Sequence, residues 1–144
     1  MKKLFFLILL LCVSSLSSAD VEVVIEGFDE AKGQVLVGFF QKAEDFQVNP
    51  IPQSPKAVIE EELVKEGGIV TVTAKDLEPG VYAIAVIWDL NMNDILDKKG
   101  VFNMPIEPYG FSNNPRTTFG PPKFEDCTFI VPEGGGTIKI LLVP

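Results

Sequence analysis

Nine consecutive residues, 80–88 (GVYAIAVIW), constrain the fold more than any other stretch of the chain. On a strand, Val81, Ala83, Ala85 and Ile87 face one way and Tyr82, Ile84, Val86 and Trp88 the other, so both faces are apolar. Such a strand needs cover on both sides and belongs in the middle of a sheet. The small alanines predict close packing on one of those faces. Glu78-Pro79-Gly80 supplies a turn into the strand, and from Asp89 the chain becomes a loop dense in Asp and Asn.

The remainder must supply that cover. The chain opens Met1-Lys2-Lys3, continues through an apolar run at 4–13 and reaches small residues up to Ala19. This pattern predicts a secretory signal peptide over 1–19, cut after Ala19. The apolar run is too short to cross a bilayer. Cys12 follows three leucines rather than the small residue that precedes a lipidated cysteine, so a lipoprotein is not expected. The expectation is a secreted or periplasmic domain over 20–144, about 125 residues, enough for one core.

Removing 1–19 takes away Lys2 and Lys3 and no acid, leaving 10 basic and 20 acidic side chains, a net charge of −10. Such a surface repels phosphates and argues against nucleic acid or anionic lipid as a partner. With Cys12 gone, Cys127 has no partner within the chain, and a buried, inert thiol is the expected state.

Around the opening strand, residues 21–28 and 34–40 read as strands joined by the Asp29–Gly33 link, a predicted hairpin. Pro50, Pro52 and Pro55 mark a loop, with Phe46 tucked beneath it after a helical turn at 43–46. Residues 57–64 and 69–73 read as two further strands about a Gly67-Gly68 turn, although the Glu-rich first half also has helical character. After a 35-residue stretch from Asp89 to Lys123 without convincing regular structure, strands are expected at 124–131 and 137–143. The whole predicts an all-β fold: a seven-stranded, two-sheet antiparallel sandwich, immunoglobulin/transthyretin-like, with one long loop after the fifth strand. Loops of that length inside a compact domain tend to be functional.

Within it, Asp89-x-Asn91-x-Asn93-x-x-x-Asp97 sets oxygen-bearing side chains at relative positions 1, 3, 5 and 9, the side-chain slots of an EF-hand-type calcium loop. The carbonyl of Ile95 would serve position 7, and Leu96 would anchor the loop to the core. A hard cation needs six to eight oxygens, and a tightly curled loop can turn alternate residues inward. Asp94 stands where the sharp turn favours Gly, and Gly100 stands where a bidentate Glu would close the site. The set of two carboxylates and two amides therefore predicts weak calcium binding suited to extracellular concentrations. The competing reading is an Asx-rich turn that hydrogen-bonds its own backbone.

A second segment, 104–116, carries Tyr109, Phe111, Asn113, Asn114 and Arg116, residues able to line an interaction surface for a glycan or protein. Alternatively its aromatics pack onto the edge of the sandwich.

Leu77-x-Pro79-Gly80-x-Tyr82, the Asp89 to Asp97 pattern, Pro105-x-Glu107-x-Tyr109-Gly110-Phe111-Ser112-Asn113-Asn114 and Gly120-Pro121-Pro122-x-Phe124-Glu125-Asp126 together resemble the domain of unknown function 2141 family. The resemblance implies export from a bacterial cell and assigns no activity. Its members often carry His before the first Asp, where this chain has Trp88. The Pro-Gly-x-Tyr entry is also similar to transthyretin-like sandwiches, at fold level only.

The chain contains no His, which removes His-based acid–base catalysis, Ser-His and Cys-His nucleophiles and His-ligated zinc. Ser112 has no nameable base, and the Glu60–Glu62 run lacks anything to split its pKa values. The expectation is a non-catalytic, monomeric or weakly oligomeric protein with calcium as its one cofactor. The alternative is a structural or assembly module without metal or small ligand.

Overall fold

The computed structural model describes residues 18–46, 58–64, 67–116 and 120–144. Most of the expected signal peptide and the Pro50–Pro55 segment lie outside these residues. Strands β1 (Ala19–Phe28), β2 (Gln34–Phe40), β3 (Val58–Leu63), β4 (Gly68–Leu77) and β5 (Gly80–Asp89) make up the first half. The second holds β6 (Lys98–Lys99), β7 (Met104–Pro105), β8 (Tyr109–Phe111), the single-turn helix α1 (Phe124–Cys127), β9 (Thr128–Val131) and β10 (Gly136–Leu141).

One sheet has the order β10-β1-β4 and the other the order β3-β2-β5, with β8 and β9 sharing the far edge of β5. The seven expected strands are thus ten among the described residues. Residues 124–127 are helical rather than the start of a strand. The sheets are not wholly antiparallel either, since β1 pairs β10 in parallel from Val21–Gly136 to Glu26–Leu141. Nor are 21–28 and 34–40 a hairpin: β1 and β2 lie in different sheets, as do β3 and β4. Burial explains the split. β1 alternates buried Val21, Val23 and Ile25 with outward Glu22 and Glu26, so it covers a core with one face. β2 is buried on both faces from Val35 onward and sits inside the other sheet.

The sheets share one apolar core, to which β5 gives Tyr82, Ile84, Val86 and Trp88. Tyr82 donates from its hydroxyl to the Glu78 carbonyl, 3.0 Å away, tying the β4–β5 turn to the strand as a tyrosine corner does. The alanine face of β5 meets a second core. There Ala83, Ala85 and Ile87 pack with Phe40, Leu96, Phe111 and Cys127. Phe46 centres this layer, with ring centroids 5.5 Å from Phe40, 5.9 Å from Phe111 and 5.8 Å from Phe124. The small side chains leave room for rings, which come from β2 (Phe40), the segment after it (Phe46), the long loop (Tyr109 and Phe111) and α1 (Phe124). Two-sided burial of the opening strand holds from Tyr82 onward, with Val81 exposed at its entry, and the second cover is shared by the long loop, Phe40, Phe46 and α1.

At Ile84 the edge of β5 passes from β9 to β8. Buried Ser112 fills the gap. Its Oγ accepts the Ile84 N–H at 2.8 Å and donates to the Cys127 carbonyl, while its own N–H donates to the Ile84 carbonyl at 3.1 Å. This hydroxyl is a ladder component, with its hydrogen-bonding capacity spent on backbone.

Candidate functional site

The Asp- and Asn-rich loop leaves β5 at its last residue. Asp89 is fully buried, and its carboxylate gathers three donors: the Asn93 N–H at 3.2 Å on Oδ1, and the Asp94 N–H at 2.8 Å and Gln34 Nε2 at 3.0 Å on Oδ2. Gln34 also donates to Asp94 Oδ1 at 2.8 Å. Asp89 therefore works first as an Asx cap that curls the backbone after it. Asp94 takes φ +65° and Met92 φ +58°, left-handed geometry that gives the loop its tight curvature.

Three of the expected ligands meet on the outer side of this curl. Asn91 Nδ2 lies 2.7 Å from Asp97 Oδ2, and Asn93 Nδ2 lies 3.2 Å from the same oxygen. Asn93 Oδ1 accepts the Ile95 N–H at 3.0 Å. Leu96 is buried in the second core, as its anchoring position requires. Asn91, Asn93 and Asp97 thus share one site, whereas Asp89 is committed from beneath to the backbone. Among the described residues no group of three or more His, Cys, Asp or Glu gathers as a metal site, so any cation here depends on the two amides.

The residue that closes the loop is one that spacing does not single out. Glu107 is almost fully buried, with Oε1 accepting the Leu90 N–H and Oε2 the Asp97 N–H, each at 2.9 Å. One carboxylate thereby clasps the second and ninth positions of the loop. Its sequence signal is its place in the Pro105-x-Glu107-x-Tyr109 pattern, which gives it no role. A backbone bond from the Ile106 N–H to the Asp97 carbonyl at 2.9 Å completes the closure. On the other flank Gly33, at φ +72°, lies so close that a Cβ would come within 2.3 Å of the Asp89 carbonyl oxygen. Beside it Trp88 Nε1 donates to the Lys32 carbonyl at 2.8 Å.

The second predicted surface turns its aromatics inward and leaves Asn113, Asn114 and Arg116 exposed. Phe111 is buried and Tyr109 half-buried against it, their rings 5.8 Å apart. Asn113 donates to the Asp126 and Thr128 carbonyls, and Asn114 both donates to the Lys139 carbonyl and accepts the Leu141 N–H. These amides occupy left-handed positions and pin the segment to its neighbours. Arg116 is exposed like the two amides. The outward apolar groups lie instead on the β6–β7 hairpin, where Val101 is 96 % and Phe102 87 % exposed. The segment's aromatics pack inward because the alanine face of β5 needs cover.

A family model described as "Uncharacterized protein conserved in bacteria (DUF2141)" matches residues 23–139. The chain belongs to this family. The DUF2141 match begins in β1 and ends in β10, so it takes in both sheets, the Asp89–Asp97 loop and the Glu107 clasp. No curated protein and no solved structure matches the chain. Among the described residues of this DUF2141 protein, no helix is long and apolar enough to cross a membrane.

Cys127 is fully buried beside this site. Desolvation, aided by the Asp126 charge, pushes its thiol from 9.0 up to about 12. Burial likewise raises the Tyr82 phenol, with Glu78 adding to the effect. Between the two thiol values the unfolded chain has lost a proton that the folded chain keeps, so stability falls as pH rises through that window. The folded protein is expected to resist maleimide at neutral pH and to react once unfolded by urea. Urea midpoints should drop above about pH 9, and Cys127→Ala should flatten part of the drop. Rapid labelling of the folded protein at neutral pH would contradict the burial of this thiol.

Proposed function

We propose that this is an exported, non-catalytic β-sandwich of immunoglobulin/transthyretin type that holds calcium in the 89–100 loop and presents the surrounding 89–123 segment as an interaction surface. The observation that carries the reading is the convergence of Asn91, Asn93 and Asp97 on one side of a backbone already curled. Half a turn of the Asn91 amide presents Oδ1 in place of Nδ2 at no cost in other hydrogen bonds, and the same turn of Asn93 exchanges its Ile95 N–H bond for a metal contact, which together convert the hydrogen-bonded cluster into an oxygen cluster. Asp89 Oδ1 accepts the Asn93 N–H and keeps one further lone pair, and the Ile95 carbonyl and water complete the six to eight oxygens that calcium takes. The amino-terminal pattern supports export, and the complete lack of His supports a role outside acid–base catalysis. Exposed Val101, Phe102, Met104 and Ile106 support the interaction surface and move its centre from the Tyr109–Arg116 run to the neighbouring hairpin.

Thermal melts test the metal directly. Calcium at millimolar concentration should raise the melting temperature, chelator should reverse the rise, and Asp97→Ala should abolish it. Asp89→Ala is a poor control, because it strips the loop of its cap whether or not metal binds. A protein whose melting is indifferent to calcium, yet which still assembles through Phe102, would be the metal-free assembly module.

A further inference from the structure

The β6–β7 hairpin is a two-stranded sheet of its own, hydrogen-bonded in register only as Lys98–Pro105 and Lys99–Met104. Its turn is set by Gly100 at φ +80° and Asn103 at φ +49°, and the Asn103 N–H donates to the Gly100 carbonyl at 3.2 Å. A defined turn therefore holds Val101 and Phe102 out in water, with Met104 62 % and Ile106 57 % exposed behind them. Neither core uses these side chains, and a contiguous apolar projection of this kind marks a contact surface. Two lysines flank it on a chain that is otherwise strongly acidic.

The same molecule carries a matching recess. A cleft of about 250 Å³ lies between the base of the Asp89 loop and the residues that follow β10, walled by Trp88, Leu90, Pro108 and Val143, with acidic Asp29 and Glu30 on its lining. It falls below the roughly 300–1,000 Å³ of small-molecule pockets and has room for one aromatic side chain. Ile106, at the foot of the hairpin, also lines it, so key and recess are neighbours. That placement suits a two-fold pair in which each copy offers its tip to the other's cleft, the self-complementary arrangement that closes on itself.

We propose that the protein pairs with a second copy of itself, Phe102 of each seated in the other's cleft and Lys98 and Lys99 facing Asp29 and Glu30. The apolar plug supplies most of the affinity and the exposed charges set the register. This rests on the interaction-surface part of the proposed function and is independent of calcium.

Sedimentation velocity of the purified protein over a concentration series reads it out. A monomer–dimer equilibrium is expected, weakened at least about tenfold by Phe102→Asp, whose exposed site leaves the fold intact by circular dichroism. Reversing both lysines to Glu should weaken it, and adding Asp29→Lys with Glu30→Lys should restore it. Phe102→Asp should leave the calcium-induced melting shift in place, which separates failure of this proposal from failure of the metal reading. A monomer at every concentration, a dimer untouched by Phe102→Asp, or charge reversals without rescue would overturn the pairing. So would a monomer that pellets through Phe102 with phosphatidylglycerol vesicles, which would make the tip a lipid contact.

Discussion

Glu107→Ala is expected to loosen the Asp89–Asp97 loop and to lower global stability by about 2–6 kcal/mol, since two backbone donors in a part-buried setting each lose a charged acceptor at roughly 1–3 kcal/mol apiece. The cost should be visible locally before it is visible globally. Amide exchange at Leu90 and Asp97 should speed up most, because those two N–H groups are the ones released. Glu107→Gln retains one good acceptor and should fall between, with one of the two amides still protected. An alanine variant with parental urea midpoint and unchanged exchange at both amides would mean that the clasp is not what closes the loop.

Gly33→Ala is the other substitution with a large expected effect. The added methyl group would stand 2.3 Å from the Asp89 carbonyl oxygen and 2.8 Å from Leu90 Cα, both backbone atoms that cannot swing aside. The position is also left-handed, at φ +72°. Left-handed backbone costs roughly 1–2 kcal/mol for a residue with Cβ, and forcing an atom into a filled space costs about 1–3 kcal/mol. A loss near 3 kcal/mol in urea denaturation is therefore expected, together with the Trp88–Lys32 bond, whose rupture should shift the fluorescence of the single tryptophan. Full parental stability in this variant would show that the Gly33 turn and the loop base are not packed as described.

These two residues also mark where sequence reasoning ends. The 80–88 strand declares its two-sided burial through side chains alone, and the alanine face correctly anticipates a close-packed second layer. Alternation in β1 likewise reports one buried face. What such patterns do not encode is which sheet a strand joins. A Gly-closed link reads as a hairpin by its local chemistry, yet the Asp29–Gly33 link crosses between sheets because β1 and β2 need different numbers of covered faces. Short strands such as β6, β7 and β8 lie below the length at which alternation has meaning, and the run 124–131 conceals a helical turn ahead of its strand. The loop pattern located Asn91, Asn93 and Asp97 together, and Asp94 takes the left-handed geometry expected at the sixth position. Glu107 escaped because a carboxylate that accepts backbone N–H groups from a distant loop leaves no spacing rule in its own neighbourhood. Of the two readings open for the 104–116 aromatics, Phe111 follows the packed one, because the space above Ala83 and Ala85 calls for a ring.

The central claim is that the Asn91–Asn93–Asp97 face of the loop takes calcium, and isothermal titration calorimetry of calcium into the chelator-stripped protein tests it most directly. One saturable site is expected, with Kd on the order of 10⁻⁴–10⁻³ M, the range of extracellular calcium modules. Asp97→Ala should lose that site and Phe102→Asp should keep it. Absence of saturable heat, with parent and Asp97→Ala giving the same flat titration, would contradict the claim and leave the loop as a turn held by Asp89 and Glu107 alone.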